Sequence, residues 1–510
     1  MKLACHAGDR ARRCLKPDSR GVFRLVMPIK CVSLARDMTG PADSQPPSSA
    51  STTPAPPRLR RVLGLGDLVF YGIVLIQPVG AVGIFGLANK NSLGHVSTTI
   101  VIALVAMMLT AASYGRMAGL YPVAGSAYTY VGRGLNPHLG FIAGWSMFLD
   151  YLVIPIVSVI YGAKSAQSLI DDLFPALSKG IMAGHSGYVL WVILFTGVAT
   201  FLSLRGIKWT ARANLILTVI MFLVIALFMV DAVHYLWAGQ GWGGLFSIQP
   251  FYNPHTFNLK AVGTATSLAA LTYIGFDGIT TLAEDVREPK RTVPLAIVLV
   301  CLLIGLCAVL QTYLGQRVWP DYSTFKDIDT AFYDVCKKVG GHFLLNGMAL
   351  TMTIACLGTA LAGQVGAARI LFGMGRDKAL PGFFARLDGR NNPVLNIWLI
   401  GILVLAGCLT LKYEDSADLV NFGAFLAFMG VNTAVIREFF FRRPSGHKRN
   451  WAFDLIVPGL GFLFCLWLWW QLPILAKKVG GTWCFLGLIY TGIKTRGFTR
   501  QPVVLDLSGS

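Results

Sequence analysis

The stretch YIGFDGITTLAED, from Tyr273 to Asp285, lies at the end of a long apolar segment and places an aspartate between two glycines. A charged side chain at the centre of a bilayer costs about 2.5–3.5 kcal/mol on insertion scales. A glycine inside a helix costs about 1 kcal/mol relative to alanine. The three unfavourable residues between Gly275 and Gly278 therefore indicate an interrupted helix and not an ordinary membrane span.

The composition around this stretch is that of a membrane protein. Of the 510 residues, 54% are hydrophobic and 14% are charged, whereas soluble domains carry about 25% charged residues. Apolar runs of about 18 residues or more, long enough to cross roughly 30 Å of hydrocarbon, recur from Leu63 to the C-terminus. The sequence predicts an all-α integral membrane protein with about twelve spans, at residues 63–87, 96–119, 139–165, 187–204, 213–231, 261–283, 293–316, 342–373, 394–411, 417–436, 454–473 and 480–494.

Lysine and arginine are concentrated in alternate loops. They follow spans 2, 4, 6, 8 and 10, whereas the loops on the other side are poor in them or balance them with aspartates. Because loops rich in Lys and Arg stay in the cytoplasm, we expect a multi-pass protein of the cytoplasmic (inner) membrane with both termini in the cytoplasm. Residues 1–61 contribute +8 of the net charge of +19, and loops placed beside the lipid bilayer explain most of the rest, without a nucleic-acid partner.

The N-terminal residues 1–61 differ from the rest of the chain. They contain twelve Lys or Arg and four Asp, and the stretch from Thr39 to Pro57 is rich in proline and serine. A segment of this composition cannot bury a core, so we expect a disordered basic cytoplasmic tail with a flexible linker. Two alternatives remain open: translation that starts at Met38 and not at Met1, or an arm that binds lipid.

The sequence contains no motif of a catalytic, metal or cofactor site. The ten cysteines form no C-x-x-C pair, and the eight histidines lack the spacing of metal ligands. The nucleophile and nucleotide-binding motifs G-x-S-x-G and G-x-x-x-x-G-K are absent from the chain. We therefore expect neither an enzyme nor a protein with a metal ion or a cofactor.

A second interruption lies five spans before the first. Span 1 contains LIQPVGAVGIFG, from Leu75 to Gly86, with a proline and glycines in its middle. Interrupted helices at corresponding positions of two halves are typical of transporters with inverted repeats, which bind substrate at the midplane. The alternative is that Pro78 only kinks its helix and the glycines only allow close packing.

Three longer stretches, the first of which contains the opening stretch, resemble one family of transporters. YIGFDGITTLAEDVREPKRTVPLAI (Tyr273–Ile297), YPVAGSAYTYVGRGLNPHLGFIAGWSMFLDYLVIP (Tyr121–Pro155) and ARILFGMGRDKALPGFFARL (Ala368–Leu387) resemble the sixth helix, the third helix with its preceding loop, and the end of the eighth helix of amino acid–polyamine–organocation permeases. Together with LVNFGAFLAFMGVN (Leu419–Asn432), they are most similar to the bacterial putrescine importers.

The resemblance implies a LeuT-like fold with a 5+5 inverted repeat and two appended helices. It divides the chain into the tail 1–61, a first repeat 62–231 with spans 1–5, a second repeat 232–440 with spans 6–10, and residues 441–510 with spans 11 and 12 and a short cytoplasmic C-terminus. Some proton-coupled relatives have a lysine in the fifth helix, where the alignment places Met221. Proton coupling remains possible, but a methionine cannot carry the proton.

The resemblance and the two interruptions together predict the substrate site. We expect Gly80 and Gly278 to lie in non-helical backbone that faces the substrate, and Glu284 to act in gating or in anchoring a loop. The aromatic residues Trp145 and Tyr273 are weaker candidates for substrate contact. The predicted substrate-binding residues are Gln77, Pro78, Val79, Gly80, Ala81, Asp150, Tyr151, Phe276, Asp277 and Gly278.

The two acidic residues of this set bear on the substrate. Asp150 lies near the middle of span 3, where an unpaired carboxylate is costly; it contacts either the substrate or a polar network between helices. Asp277 contacts the substrate, caps the half-helix that begins there, or does both. A diamine needs carboxylates and aromatic faces, whereas an amino acid presents its own carboxylate to half-helix N–H groups. We therefore expect a small-molecule transporter that imports a putrescine-like polyamine or an amino acid by alternating access, with a permease or exchanger of neutral or basic amino acids as the alternative.

Overall fold

The computed structural model describes residues 63–122, 126–180, 182–205, 211–376, 380–389, 392–444 and 446–499, except for the side chains of 211–213 and 284. The predicted tail at residues 1–61 lies outside this part of the chain. Within it, the protein is built from helices, and its extended backbone pairs only at an isolated parallel bridge between Leu63 and Val286. This bridge ties the start of the first helix to the end of the interrupted segment that contains Asp277.

Fifteen α-helices follow one another in the described part of the chain. They are α1 (Leu65–Ile76), α2 (Gly80–Asn91), α3 (Val96–Leu120), α4 (Ser126–Gly134), α5 (Pro137–Leu173), α6 (Pro175–Lys179), α7 (Gly184–Leu204), α8 (Ala211–Leu245), α9 (Leu259–Ala269), α10 (Pro289–Val318), α11 (Ala331–Arg376), α12 (Val394–Thr410), α13 (Tyr413–Val435), α14 (Val457–Gln471) and α15 (Ile474–Lys494). Short 3-10 helices occupy Ala270–Tyr273, Phe276–Asp285, Tyr322–Thr324 and Gly382–Ala385, and π-helical turns occupy Ile436–Arg442 and Ala452–Ile456.

The helix boundaries follow local signals in the sequence. Asn136 precedes α5, and its side-chain oxygen accepts a hydrogen bond from the His138 backbone N–H at 2.8 Å. Proline follows at the first position of that helix, where it needs no hydrogen-bond donor. Asn258 caps α9 in the same way through Lys260 and Ala261. Within α11, Gly341 adopts a φ of 65° and kinks the helix, one residue before the predicted start of span 8 at residue 342.

Eight helices in the described residues are long and apolar enough to cross a membrane, and the bent pair α1–α2 makes nine. The prediction of an all-helical membrane protein is therefore confirmed, while the count of twelve spans is not. The other three predicted spans deviate for separate reasons. Span 6 is divided into an α-helix and two 3-10 helices, α12 has 17 residues, and α15 carries Lys477 and Lys478 close to its N-terminal end.

Helices at equivalent positions of the two predicted repeats pack against one another. The most extensive contacts join α5 with α11 and α3 with α10, and α7 also packs against α12. These are spans 3 and 8, 2 and 7, and 4 and 9. Such pairing of equivalent helices is the arrangement that an axis in the membrane plane produces in a LeuT-like fold.

Glycine brings α2 close to the start of α11. A Cβ atom at Gly86 would overlap the carbonyl oxygen of Ile328 and lie 2.7 Å from the Cβ of Ala331. The obstructing atoms belong to backbone and to a short side chain, so they cannot rotate away. Close helix approach at small residues is a main source of stability in membranes, and we infer that Gly86 fixes the position of α2.

We expect Gly86→Ala to destabilise the protein by about 1–3 kcal/mol, the usual cost of overpacking. Thermal unfolding of the purified protein in detergent, followed by tryptophan fluorescence, measures the effect. Gly347→Ala on α11 is the matched control, because nothing lies within 4 Å of a Cβ at that position. Alanine there should leave the melting temperature unchanged or raise it. Equal melting temperatures of the two variants would contradict the proposed constraint at Gly86.

Candidate functional site

The first interruption lies between α1 and α2, which meet at a bend of 45°. Gln77 ends α1 with a φ of 62°, a left-handed conformation that non-glycine residues adopt rarely. Its side-chain amide donates a hydrogen bond to Thr359 Oγ1 at 2.6 Å and lies 3.5 Å from the carbonyl oxygen of Ala355, both on α11. The side chain of Gln77 thus anchors the interrupted backbone to a neighbouring helix.

The residues after Gln77 complete this interruption. The carbonyl oxygen of Pro78 accepts a hydrogen bond from Gln311 Nε2 on α10 at 3.0 Å. Val79 and Ala81 are buried apolar side chains, while Gly80 is the first residue of α2. The expectation that Gly80 lies in non-helical backbone is therefore wrong, because the helix ends and restarts within the three residues before it.

The second interruption lies at Ile274 and Gly275. Gly275 has a φ of 120°, which strongly favours glycine, and a 3-10 helix begins at Phe276. Gly278 therefore lies inside this helix, and the expectation of non-helical backbone there is also wrong. A Cβ atom at Gly275 would lie 3.2 Å from the carbonyl oxygen of Leu75, and one at Gly278 would lie 2.7 Å from Leu75 Cδ1. The two interruptions thus come together at the end of α1.

Asp277 is the second residue of the 3-10 helix. Its side chain is buried, and its Oδ2 accepts a hydrogen bond from Ser126 Oγ, at the start of α4, at 3.2 Å. Gly275 occupies the cap position of this helix, which has no side-chain cap. Asp277 is therefore not the N-cap residue, although the N–H groups at the start of the helix still stabilise its negative charge.

Asp150 lies on α5 and is 6% exposed. Its Oδ1 is fully buried and has no hydrogen-bond partner within the described residues. The carboxylate lies against Gly423 of α13, where a Cβ would overlap Oδ1. The polar network that was the alternative reading of Asp150 is thus missing at this oxygen within the described residues.

The two carboxylates repel each other. Asp150 and Asp277 lie within Coulombic range of one another, and Tyr151 lies within range of both. Neither acid forms an ion pair with Lys, Arg or His in the part of the chain that the structure describes. The centre of the protein therefore holds two buried acidic side chains without a cationic partner in the described residues.

An aromatic cluster adjoins Asp277. The ring of Phe276 lies 5.4 Å from that of Tyr114 and 5.2 Å from that of Phe428, and Tyr114 also contacts Tyr130 at 5.9 Å. All four side chains are buried, and Tyr114 and Tyr130 lie within Coulombic range of Asp277. Packed this closely, the cluster closes the space beside Asp277, so Phe276 serves as a packing residue in this conformation.

Several residues near the site were missed by the sequence analysis. Ser126 and Gly423 lie within stretches that carry the family resemblance, which was the only signal available for them. Tyr114 has no local signal, because a tyrosine in an apolar helix is usually a packing residue.

The two weaker candidates for substrate contact, Trp145 and Tyr273, make contacts with other parts of the protein. Trp145 stacks on Trp483 of α15 at 4.9 Å. Tyr273 is fully buried and donates a hydrogen bond to the carbonyl of Ile100.

Glu284 and Met221 are two further positions that the sequence analysis singled out. The backbone of Glu284 lies near the end of the 3-10 helix, but its side chain is outside the described residues, so the gating or anchoring role stays a prediction. Met221 is buried on α8, 2% exposed. No group of three or more His, Cys, Asp or Glu that could hold a metal ion occurs within the described residues.

A cavity of about 300 Å³ lies apart from these residues. It is bordered by the turn at Leu93 and Gly94, by the segment that follows α8, and by the C-terminal end of α10. Its polar side chains include Gln249, Asn253 and Asp321, and hydrogen bonds from Ser323 lower the pKa of the Asp321 carboxyl. Because neither Asp150 nor Asp277 borders this cavity, we place the candidate substrate site at the two helix interruptions and not in the cavity.

The chain is similar to known transporters over most of its length. It is 32% identical over 448 residues to the low-affinity putrescine importer PlaP of Escherichia coli (strain K12), covering 87% of this chain and 96% of that protein. It is 28% identical over 460 residues to the branched-chain amino acid permease BcaP of Bacillus subtilis (strain 168), covering 87% and 94%.

A solved structure shares the fold. The crystal structure of MhsT in complex with L-phenylalanine superimposes with a TM-score of 0.51 and 14% sequence identity, over 85% of this chain and 100% of that one. This similarity supports the LeuT-like fold that the family resemblance implies. The family model described as amino acid permease matches residues 73–488. The chain is therefore a multi-pass membrane transporter of the amino acid permease family.

Proposed function

We propose that the protein imports a diamine of the putrescine class by alternating access. One observation carries this proposal: two buried carboxylates, Asp150 and Asp277, lie within Coulombic range of one another without a cationic partner in the described residues. Burying like charges without compensation is costly. A dication that binds between them offsets the repulsion and gives the unpaired carboxylate oxygen of Asp150 a hydrogen-bond donor.

The chemistry of the site suits two ammonium groups. Each ammonium donates hydrogen bonds, and the unpartnered Oδ1 of Asp150 and the carboxylate of Asp277 are acceptors. Tyr151 is within Coulombic range of both acids, and its ring offers a face to a cation. The putrescine importer PlaP, 32% identical to this chain, supports the same substrate class.

The alternative substrate is an amino acid. The N-terminal ends of α2 and of the 3-10 helix at Phe276–Asp285 carry partial positive charge, which attracts a substrate carboxylate. The likeness to BcaP favours this reading. A bound carboxylate would, however, have to lie close to two acidic side chains, which makes the amino acid the less favourable ligand on electrostatic grounds.

The membrane potential supplies the driving force for a dication. At 100 mV, inside negative, each positive charge gains about 2.3 kcal/mol on entering the cytoplasm. A diamine thus gains about 4.6 kcal/mol, which supports roughly a 2,000-fold accumulation at 1.4 kcal/mol per decade. Import then needs no co-transported proton, in agreement with methionine at position 221 on α8. A zwitterionic amino acid gains nothing from the potential and needs an ion or an exchange partner.

The location of the protein is part of this proposal. Loops rich in Lys and Arg alternate along the chain, which favours the cytoplasmic membrane with both termini in the cytoplasm. In that orientation α4 and Ser126 face the cytoplasmic half of the molecule. The aromatic cluster of Tyr114, Tyr130, Phe276 and Phe428 then closes the path from Asp277 to the cytoplasm.

We predict that Asp150→Asn and Asp277→Asn each weaken putrescine binding by about a hundredfold, because losing one partner of a buried charge pair costs several kcal/mol. Binding of radiolabelled putrescine to purified protein measures the effect. Binding of a neutral amino acid, measured in parallel, should change only modestly. Asp171→Asn is the matched control, because Asp171 lies on the same helix in an exposed hydrogen-bonded pair with Gln167. Unchanged putrescine affinity in both site variants, with the fold intact, would refute the diamine proposal.

We further predict that putrescine accumulates in proteoliposomes in response to voltage alone. With a potassium diffusion potential and no pH gradient, the accumulation ratio should rise tenfold for about every 30 mV, the value for two charges at 2.3 kcal/mol per charge per 100 mV. A pH gradient without voltage is the control and should drive no accumulation. Voltage-independent uptake, or uptake that requires the pH gradient, would contradict movement of a bare dication.

A further inference from the structure

Gly423 of α13 lies directly opposite the carboxylate of Asp150 on α5. A Cβ atom built on Gly423 would overlap Asp150 Oδ1, lie 3.1 Å from Asp150 Cγ and 2.5 Å from the carbonyl oxygen of Ser146. The carboxylate therefore occupies the space that a side chain at position 423 would fill. Two of the three nearest atoms belong to Asp150, so the missing side chain makes room mainly for this acid.

The carboxylate of Asp150 is held in place differently from the carboxylate of Asp277. Asp277 accepts a hydrogen bond from Ser126, whereas Oδ1 of Asp150 is fully buried and has no partner within the described residues. Packing against the bare backbone of α13 is thus what fixes this oxygen. The helices α5 and α13 pack extensively, so they would have to separate, or the carboxylate would have to move away from α13, to accept a larger side chain at position 423.

We propose that Gly423 is a positioning residue of the substrate site, which sets the position of the Asp150 carboxylate and thereby the affinity for a cationic substrate. The inference rests on the proposed diamine transport. A methyl group at position 423 displaces the carboxylate from its place against α13. The position of the acid relative to Asp277 then changes, while groups that bind a neutral amino acid through its own carboxylate are unaffected.

A double-mutant cycle tests this inference. Putrescine and neutral amino acid binding are measured for the wild type, Gly423→Ala, Asp150→Asn and the double variant, each checked for its melting temperature. We expect Gly423→Ala to weaken putrescine binding at least tenfold and neutral amino acid binding less than twofold. In the Asp150→Asn background, where the charge is already absent, Gly423→Ala should weaken putrescine binding less than twofold, because residues that act through one another are not additive.

Gly430→Ala on the same helix is the matched control. A Cβ there would lie 2.8 Å from Val131 Cγ2, the end of a side chain that can move, so it tests close packing of α13 without touching an acid. Putrescine affinity of this variant should stay within twofold of the wild type. Equal losses for both substrates in Gly423→Ala, or additive losses in the double variant, would assign the glycine to helix packing and overturn the inference.

The two proposals fail in distinguishable ways. Unchanged putrescine binding in Asp150→Asn would defeat the diamine function itself, whereas loss in Asp150→Asn with normal binding in Gly423→Ala would defeat only the positioning role. If Gly423→Ala does not fold, the variant Asp150→Ala/Gly423→Ala removes the carboxylate from the overlap. Recovery of folded protein in the membrane would support the contact, and continued failure to fold would place the constraint in the backbone of Ser146 and overturn the inference.

Discussion

The structure depends on one constraint: two helices are interrupted inside the bilayer, and the backbone groups freed there must find partners in a medium without water. At the first interruption, Gln311 donates a hydrogen bond to the backbone carbonyl of Pro78, and the side chain of Gln77 is anchored to Thr359. At the second interruption, the backbone N–H of Ile274 donates to the carbonyl of Leu271 and that of Gly278 to the carbonyl of Gly275, while Gly275 packs against the end of α1. Because each interruption is supported by other helices, neither can straighten or move alone.

The partners that support the first interruption belong to the second repeat. Thr359 lies on α11 and Gln311 on α10, and these helices are the counterparts of α5 and α3 in the first repeat, against which they pack. Asp150 lies on α5 and Asp277 follows the second interruption. A rotation of one repeat relative to the other therefore changes the backbone support and the spacing of the acids together. For the proposed alternating access, this coupling would let a substrate bound at the acids bias the same contacts that hold the helices.

Much of the fold could be predicted from the sequence because its signals are local. Apolar length, the glycines and proline of the interruptions and the caps at Asn136 and Asn258 each act within a few residues. The interruptions lie in the predicted segments, but the non-helical backbone within each lies three residues before the predicted glycine, since Gly80 and Gly278 are helical while Gln77 and Gly275 take the positive φ. A glutamine in that conformation could not be predicted, because a hydrogen bond to Thr359, 282 residues away, stabilises it.

The candidate site shows the same division between local and distant causes. Asp150 and Asp277 stand out in the sequence because a carboxylate in an apolar run is rare, but their mutual repulsion exists only once α5 and the 3-10 helix are adjacent. The unequal support of the two acids is likewise a tertiary property. Asp277 has Ser126 and the N–H groups of its own helix, whereas the buried oxygen of Asp150 has only the space above a glycine. In the proposed diamine transport, the less supported acid gains more from a cation, so we expect the substrate charge to contribute most to binding at Asp150.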